Sequence, residues 1–417
     1  MSNRICEAQK LRDIITLEKG KPPAQQPYFG QDAELYLTPE YLRGRGTAEP
    51  VKASANVVRV SDGDTIILWD GSNAGEFFRG RKGILASTMS RIQHSETFDV
   101  EYFFYAVKGW ESYLKGQTSG SGIPHIDKEV FGKIEILRFD KPEQTKIADI
   151  LSTVDRAIEQ TEAIIAKQQR IKTGLMQDLL TRGIDKHGNI RSEETHEFKD
   201  SPLGRIPVEW KLETLNKCVR PDAPICYGIL MPGQEHDGGV PVIKVKNIIG
   251  GHIVQDDILL TDPRIDAQYK RSRLRAGDLL LTIRGTTGRL AIVPPELDGA
   301  NITQDTARVR LKEEMSIQFF YFLLQSFPLQ DQIRLHTLGQ AVKGINIGEV
   351  KRIFFGLPDR NEQEEIAKRL VAIQERIDSS KRELTKHASI KTALMHDLLT
   401  GEVRVTPLLS ESQEAEA

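Results

Sequence analysis

Cysteine is scarce. Cys6, Cys218 and Cys226 are the only three in 417 residues, an odd number without metal spacing, which suits a reducing cytosol. No pair of histidines or cysteines has the spacing of a zinc site, so no metal is expected. Apolar runs are short: none approaches the roughly 18 residues of a membrane span, and the opening MSNRICEAQK lacks the apolar centre of a signal peptide. A cytoplasmic location without membrane contact is therefore expected. Neither sign of charge dominates. The formal net charge of −2 excludes a histone-like basic binder, and any nucleic-acid contact has to come from local basic patches.

Catalytic signatures are missing too. There is no G-x-x-x-x-G-K-[ST] loop to cradle ATP phosphates. No Asn-Pro-Pro or Asp-Pro-Pro stands before an aromatic residue, as an adenine methyltransferase requires; the proline pairs are Pro22-Pro23 and Pro294-Pro295. Asp200 with Glu209-Trp210-Lys211 mimics a nuclease D…E-x-K, but Pro207 and Trp210 read better as the packed start of a domain. No catalytic residue is expected.

What is present begins with a repeat. The 39 residues from Glu143 to Thr181 align without a gap on Glu362 to Thr400, with 16 identities at a constant offset of 219. Each copy reads as one long amphipathic helix. Ile147, Leu151, Val154, Ile158, Ile165, Ile171, Leu175 and Leu179 step by threes and fours; Ile366, Leu370, Ile373, Ile377, Leu384, Ile390, Leu394 and Leu398 repeat the pattern. Pro142 suits a first helical turn, and Gly183 and Gly401 suit the caps beyond the ends. Burying one such Leu or Ile is worth roughly 1.5–3 kcal/mol, so each seam needs a partner surface, and the other copy is the nearest. Thr161 with Ser380 and Gln168 with His387 put polar residues at matching seam positions, read as devices for register.

Around the repeats, hydrophobic residues at 39% and charged residues at 28% describe an ordinary globular chain of two to four domains. Residues 1–140 form a first block, with strands expected at Asn56–Val60, Thr65–Trp69 and Ile134–Leu137; Asp99–Val107 fits helix or strand. The first helix occupies 141–183 and a charged surface linker 184–206. A second block, 207–359, has strands expected at Val240–Val245, Leu279–Ile283 and Thr306–Leu311 and a helix at Ile317–Gln325. The second helix fills 360–402, and 403–417 reads as an acidic tail, frayed from Thr406. The blocks share one echo, Gly63-Asp64-Thr65 against Gly277-Asp278-Leu279, each followed by a Gly-containing loop, Gly71-Ser72-Asn73 and Gly285-Thr286-Thr287-Gly288.

Basic residues gather on Gly-rich loops. The first block offers Arg43, Arg45, Arg79, Arg81 and Lys82. The second offers Lys244 and Lys246 on one face of a strand, then Lys270, Arg271, Arg273, Arg284 and Arg289. Glycine lets a backbone approach phosphate, and arginine reads guanine edges through two hydrogen bonds, so these are the candidate DNA contacts. Trp69, Phe77 and Phe78 nearby read as core rather than base-stacking residues.

The EQ-x-x-IA helix starts (Glu143-Gln144…Ile147-Ala148 and Glu362-Gln363…Ile366-Ala367), the endings Leu175-Met176-Gln177-Asp178-Leu179-Leu180-Thr181 and Leu394-Met395-His396-Asp397-Leu398-Leu399-Thr400, and the entry Ile206-Pro207…Trp210 carry a resemblance. Over nearly its whole length the chain resembles the specificity subunits of type I restriction–modification systems. The first copy departs only in Phe139, where the second has Pro358, and in Arg182 before its glycine. The resemblance implies an α+β architecture, with two small α/β target-recognition domains joined by two long helices packed as an antiparallel coiled coil with pseudo-twofold symmetry. It further implies a non-catalytic subunit that reads a bipartite, asymmetric site in double-stranded DNA. Two modification subunits would bind the helices, through seam residues such as Ile147, Leu151, Ile366 and Leu370, and restriction/translocase subunits would join them. The chain itself would hold no cofactor; S-adenosylmethionine, ATP and Mg would belong to the partners. The alternatives are a specificity subunit whose partner fuses methyltransferase and nuclease, and a structural coiled-coil adaptor.

Overall fold

The structure, a computed structural model, describes residues 6–117, 124–339 and 343–409. It contains two long helices, Lys141–Leu179 and Arg360–Leu399, and divides into two compact units. Unit 1 comprises residues 1–163 with 381–417; unit 2 comprises 164–380. Each unit therefore holds one globular block, one half of the helix that follows it and one half of the other helix.

In unit 1, β1 (Glu7–Lys10) pairs with β10 (Glu135–Arg138), the strand that feeds the first long helix. Strands β2 (Ile15–Lys19), β6 (Thr65–Leu68), β7 (Phe77–Arg79) and β9 (Met89–His94) form an antiparallel sheet in the order β2-β9-β6-β7. A second sheet, β4-β3-β8-β5, combines β3 (Glu34–Leu37), β4 (Pro50–Val51), β5 (Arg59–Val60) and β8 (Gly83–Leu85), with β3 and β8 parallel. The ambiguous aromatic stretch is a helix, Val100–Lys108. Asp99 decides it, because its carboxylate accepts the N–H groups of Glu101 and Tyr102 at 3.0 Å and nucleates the first turn.

Unit 2 repeats this plan. A hairpin, β11 (Phe198–Ser201) and β12 (Gly204–Pro207), precedes β13 (Lys211–Thr214), which pairs with β23 (Phe354–Leu357) ahead of the second long helix. Strands β14 (Cys226–Tyr227), β19 (Leu279–Thr282), β20 (Leu290–Ile292) and β22 (Thr306–Val309) run in the order β14-β22-β19-β20. β15 (Val240–Ile243), β18 (Leu259–Thr261) and β21 (Asn301–Ile302) form β18-β15-β21, with β15 and β21 parallel; β16 (Ile248–Ile249) and β17 (His252–Ile253) make a small hairpin. The aromatic helix Ile317–Gln325 starts on Ser316. The blocks thus share a topology that their sequences barely declare.

Within each unit the two helix halves run antiparallel. In unit 1, Ile147 and Leu151 share a core with Leu394, Met395 and Leu398. In unit 2, Leu175 and Leu179 share one with Ile366 and Leu370. Two expected surface segments are anchored. The 184–206 stretch buries Ile184, Arg191 and Ile206, and the segment from 403 buries Val405; residues 410–417 of that tail lie outside the described residues. Trp210 is buried, as a packed domain entry requires, while the Asp200 side chain is 99% exposed. Phe77 and Phe78 are core, and Trp69 packs edge-on against Phe131. The cysteines are free, and burial pushes the Cys218 thiol up to about 12. No described helix is long and apolar enough to cross a membrane.

Candidate nucleic-acid interface

The repeated helix starts organise each unit. Gln144 is buried; its amide donates to the Phe139 carbonyl at 2.8 Å and its oxygen accepts the Asp99 N–H at 2.6 Å, tying the long helix to the start of the aromatic helix. Gln363 does the same in unit 2, donating to Pro358 at 3.0 Å and accepting from Ser316 N–H at 3.0 Å. The neighbouring glutamates each receive an arginine from beyond a helix end. Glu143 is gripped by Arg404 at 2.6 and 3.0 Å, and these bonds raise the guanidinium pKa further. Glu362 takes Arg191 at 2.5 and 3.2 Å and the Trp210 indole N–H at 3.2 Å. Burial opposes the charge on Arg191, but the bond to Glu362 and the attraction of Glu362, Glu209 and Asp185 together outweigh it and hold the group above its ordinary value.

The seam follows the expected steps with one correction in each copy. Ile147, Leu151, Leu179, Ile366, Leu370, Ile373, Ile377 and Leu398 are buried, and Val154, Ile158, Ile165, Leu175, Leu384 and Leu394 half-buried. Ile171 and Ile390 are 44% and 39% exposed. The 3,4 stepping passes through Lys172 and Lys391 instead, which leaves the isoleucines about 100° off the seam. The lysines fill equivalent sites: Lys391 pairs with Asp155 at 2.5 Å beside Tyr105, and Lys172 donates to Gln374 at 2.6 Å beside Phe322. The Thr161 hydroxyl bonds its own helix at Ala157 rather than a facing partner, so its register role is not supported. Gln168 Oε1 and His387 Nδ1 are buried without a partner among the described residues.

The Gly-Asp echo is a turn of the same build in both units, with its aspartate half-buried in unit 1 and buried in unit 2. Asp64 accepts the Ser61 N–H at 2.9 Å and faces Arg91 at 3.4 Å; Asp278 accepts Arg275 N–H at 2.8 Å and is held by Arg310 at 2.7 Å. Gly63 and Gly277 sit at φ 89° and 87°, where a side chain would be strained.

The candidate cations divide by their partners. Arg43 is committed to Glu76, Arg79 pairs with Glu101 and lies over Phe104, Lys246 pairs with Asp257, and Arg273 clamps the buried Asp266. Arg45, Arg81, Lys82, Lys270, Arg271, Arg284 and Arg289 are exposed. Arg81 lies 5.7 Å over Tyr41 and Arg271 5.7 Å over Tyr227, while Arg289 donates to the Ile248 carbonyl at 3.2 Å. Lys244 and Lys246 are not on a strand: β15 ends at Ile243, and Val245–Asn247 is a 3-10 turn stapled by the Asn247 side chain accepting the Lys244 N–H. The clamping arginines Arg191, Arg404 and Arg310 escaped the sequence reading because nothing local marks their distant carboxylates. His396, Asp397 and Glu402 bring metal-type ligand atoms together at the end of the second long helix, with His396 and Glu402 exposed.

Each unit also has a groove beside its C-terminal helix half. In unit 1 a cavity of about 790 Å³ is lined by Thr392, Met395, Leu399, Thr400 and Trp110. In unit 2 one of about 600 Å³ is lined by Thr173, Met176, Leu180, Thr181 and Phe327. Thr, Met, Leu and Thr are the same repeat positions in both.

The sequence profile of the type I restriction modification DNA specificity domain matches residues 6–168 and again 234–387, over most of one block and most of the helix after it each time. The chain belongs to that family. It is 33% identical over 414 residues to the type I restriction enzyme MjaVIII specificity subunit of Methanocaldococcus jannaschii, covering 96% of this chain and 94% of the relative. It is 25% identical to the EcoBI specificity subunit of Escherichia coli, over 82% of this chain and 73% of that one. The fold matches the crystal structure of a type I restriction-modification S subunit from M. genitalium at a TM-score of 0.60, with 14% identity over 96% of this chain and 97% of that one. The protein is thus a DNA specificity subunit of a type I restriction–modification system, a class that is itself non-catalytic and carries no cofactor.

Proposed function

We propose that each unit reads one half of a bipartite, asymmetric site in double-stranded DNA, and that the paired helices position two modification subunits, with restriction/translocase subunits completing the complex. The observation that carries this reading is one block topology built twice on the same helical frame with different surface loops: equal frames call for equal partners, and unequal loops for unequal half-sites. The exposed cations Arg45, Arg81, Lys82, Lys270, Arg271, Arg284 and Arg289, with the half-buried Lys244, are the proposed DNA contacts. The duplicated grooves supply the proposed partner sites, since Met176 and Met395 present the same flexible apolar surface.

The test is methylation mapping of a host carrying the complex. A split motif with two unlike halves is expected, together with duplex binding by the complex that weakens steeply with salt. A methylated motif that is continuous and palindromic would refute the two-domain reading. Replacing both Met176 and Met395 by Glu is expected to block uptake of the modification subunits in size-exclusion chromatography, and circular dichroism of the isolated chain separates that loss from damage to the cores these methionines pack against.

A further inference from the structure

Each four-stranded sheet has two ends, and they differ. The Gly-Asp turns close one end. There, Gly63 N–H donates to Gly80 O in unit 1 as Gly277 N–H donates to Val293 O in unit 2. The basic turn at Arg79–Lys82 in unit 1 therefore occupies the place of Val293–Gly299 in unit 2, which carries Glu296 and Asp298. The turn that carries Arg81 and Lys82 in unit 1 is thus replaced in unit 2 by one without a cation, so this end offers no reading group common to both units.

At the opposite end the correspondence continues, and the chemistry changes. Ile66 pairs with Arg91 as Leu280 pairs with Arg308, so the loop after β6 matches the loop after β19, and the loop before β9 matches that before β22. In both units these two loops are laced together. Trp69 N–H donates to Thr88 O at 2.8 Å, as Ile283 N–H donates to Asp305 O at 2.8 Å. Both are also pinned to the segment ahead of the next short helix, Gly71 N–H to Pro124 O at 2.8 Å and Gly285 N–H to Lys343 O at 2.9 Å. Gly71 and Gly285 have φ of 118° and 71°, and a Cβ on either would meet nothing within 4 Å, so the backbone is open to close approach.

The side chains on this rigid frame suit base edges. Unit 1 presents Ser72 and Asn73, both exposed; unit 2 presents the exposed Arg284 and the half-buried Gln304. In unit 2 the hydroxyls of Thr303 and Thr306, 6% and 0% exposed, and the Gln304 Oε1 have no partner among the described residues. Buried polar groups normally have one, so the Gln304 carbonyl is left without a bond that would fix the orientation of its amide. We infer that the paired loops at this open end are the base-reading elements, with Asn73 in unit 1 and Arg284 and Gln304 in unit 2 setting the sequence of each half-site. An amide offers adenine a matched donor and acceptor, and a guanidinium does the same for guanine. Arg81 and Lys82, at the closed end, are left as phosphate contacts. This inference rests on the DNA-reading function proposed above.

The experiment uses the full complex with its modification partner and compares Asn73→Ala, Arg284→Ala, Gln304→Ala and the double change Arg81→Ala/Lys82→Ala. Binding is measured to the cognate duplex, to duplexes altered in one half-site, and to random duplex, at two salt concentrations. Asn73→Ala is expected to reduce discrimination at one half-site about tenfold or more, and Arg284→Ala and Gln304→Ala at the other. Random-duplex affinity and complex yield stay as in the parent for Asn73→Ala and Gln304→Ala. The Arg81/Lys82 variant weakens binding to every sequence alike and lowers the salt slope. Unchanged half-site preference in all three loop variants, beside a wild type that discriminates normally, would sink this inference and leave the proposed function standing. A wild-type complex with no sequence preference would sink both.

Discussion

Glu362 concentrates more of unit 2 than any neighbouring charge, because one carboxylate joins the helix start, the Arg191 side chain, the Trp210 indole and the Ile184 N–H, the last at 2.9 Å. The Arg191 and Glu362 side chains are only 8% and 9% exposed. Removing one partner leaves a buried charge uncompensated, so Arg191→Met is expected to destabilise unit 2 by about 3–5 kcal/mol. The double change with Glu362→Gln should recover part of that loss, and thermal unfolding of the three variants measures it. The exposed arginine candidates lack such ties, and their sequence contexts look no different from those of the committed ones. Arg273 and Arg271 stand two residues apart, yet one clamps Asp266 and the other lies on the surface.

At the scale of the element, the seam decides whether the helices have a surface to meet. Leu151 and Leu370 are both 0% exposed and occupy the same repeat position. Substituting Asp at either is expected to abolish folding of its unit and recovery of the complex in a pull-down with the modification subunit. Ile171→Glu and Ile390→Glu are the informative contrast. Hydropathy alone puts these isoleucines on the seam, but their exposure predicts a stability change within about 0.5 kcal/mol by denaturant unfolding. Equal damage from both pairs would mean that the seam passes through the isoleucines rather than the lysines.

For the whole molecule, the division of each long helix between two units has a consequence for fragments. A chain ending near residue 200 keeps the first block and its whole helix but loses the 381–405 segment that completes unit 1. Its own Leu175, Met176, Leu179 and Leu180 match the missing Leu394, Met395, Leu398 and Leu399 residue for residue. Such a fragment is therefore expected to assemble as a dimer in which each copy supplies the other's missing half-helix, weakened by loss of the Arg404 clamp on Glu143. Sedimentation equilibrium reads this directly, and a stable monomer would contradict it.

The repeat, the two long helices, the helix Ile317–Gln325 and most strand centres were legible in the sequence, because periodicity and capping are local and a gapless 39-residue match needs no structure to see. The family followed from the same residues. What only the tertiary structure decided is long-range. The shared topology of the two blocks lies in strand pairing, which unlike side chains satisfy equally well. The purpose of the Glu-Gln pair at each helix start appears only when Arg404 and Arg191 return from the far side of the chain. The sorting of cations into clamps and free groups depends on which carboxylates folding brings within reach, and that is a property of the packed chain rather than of any stretch of it.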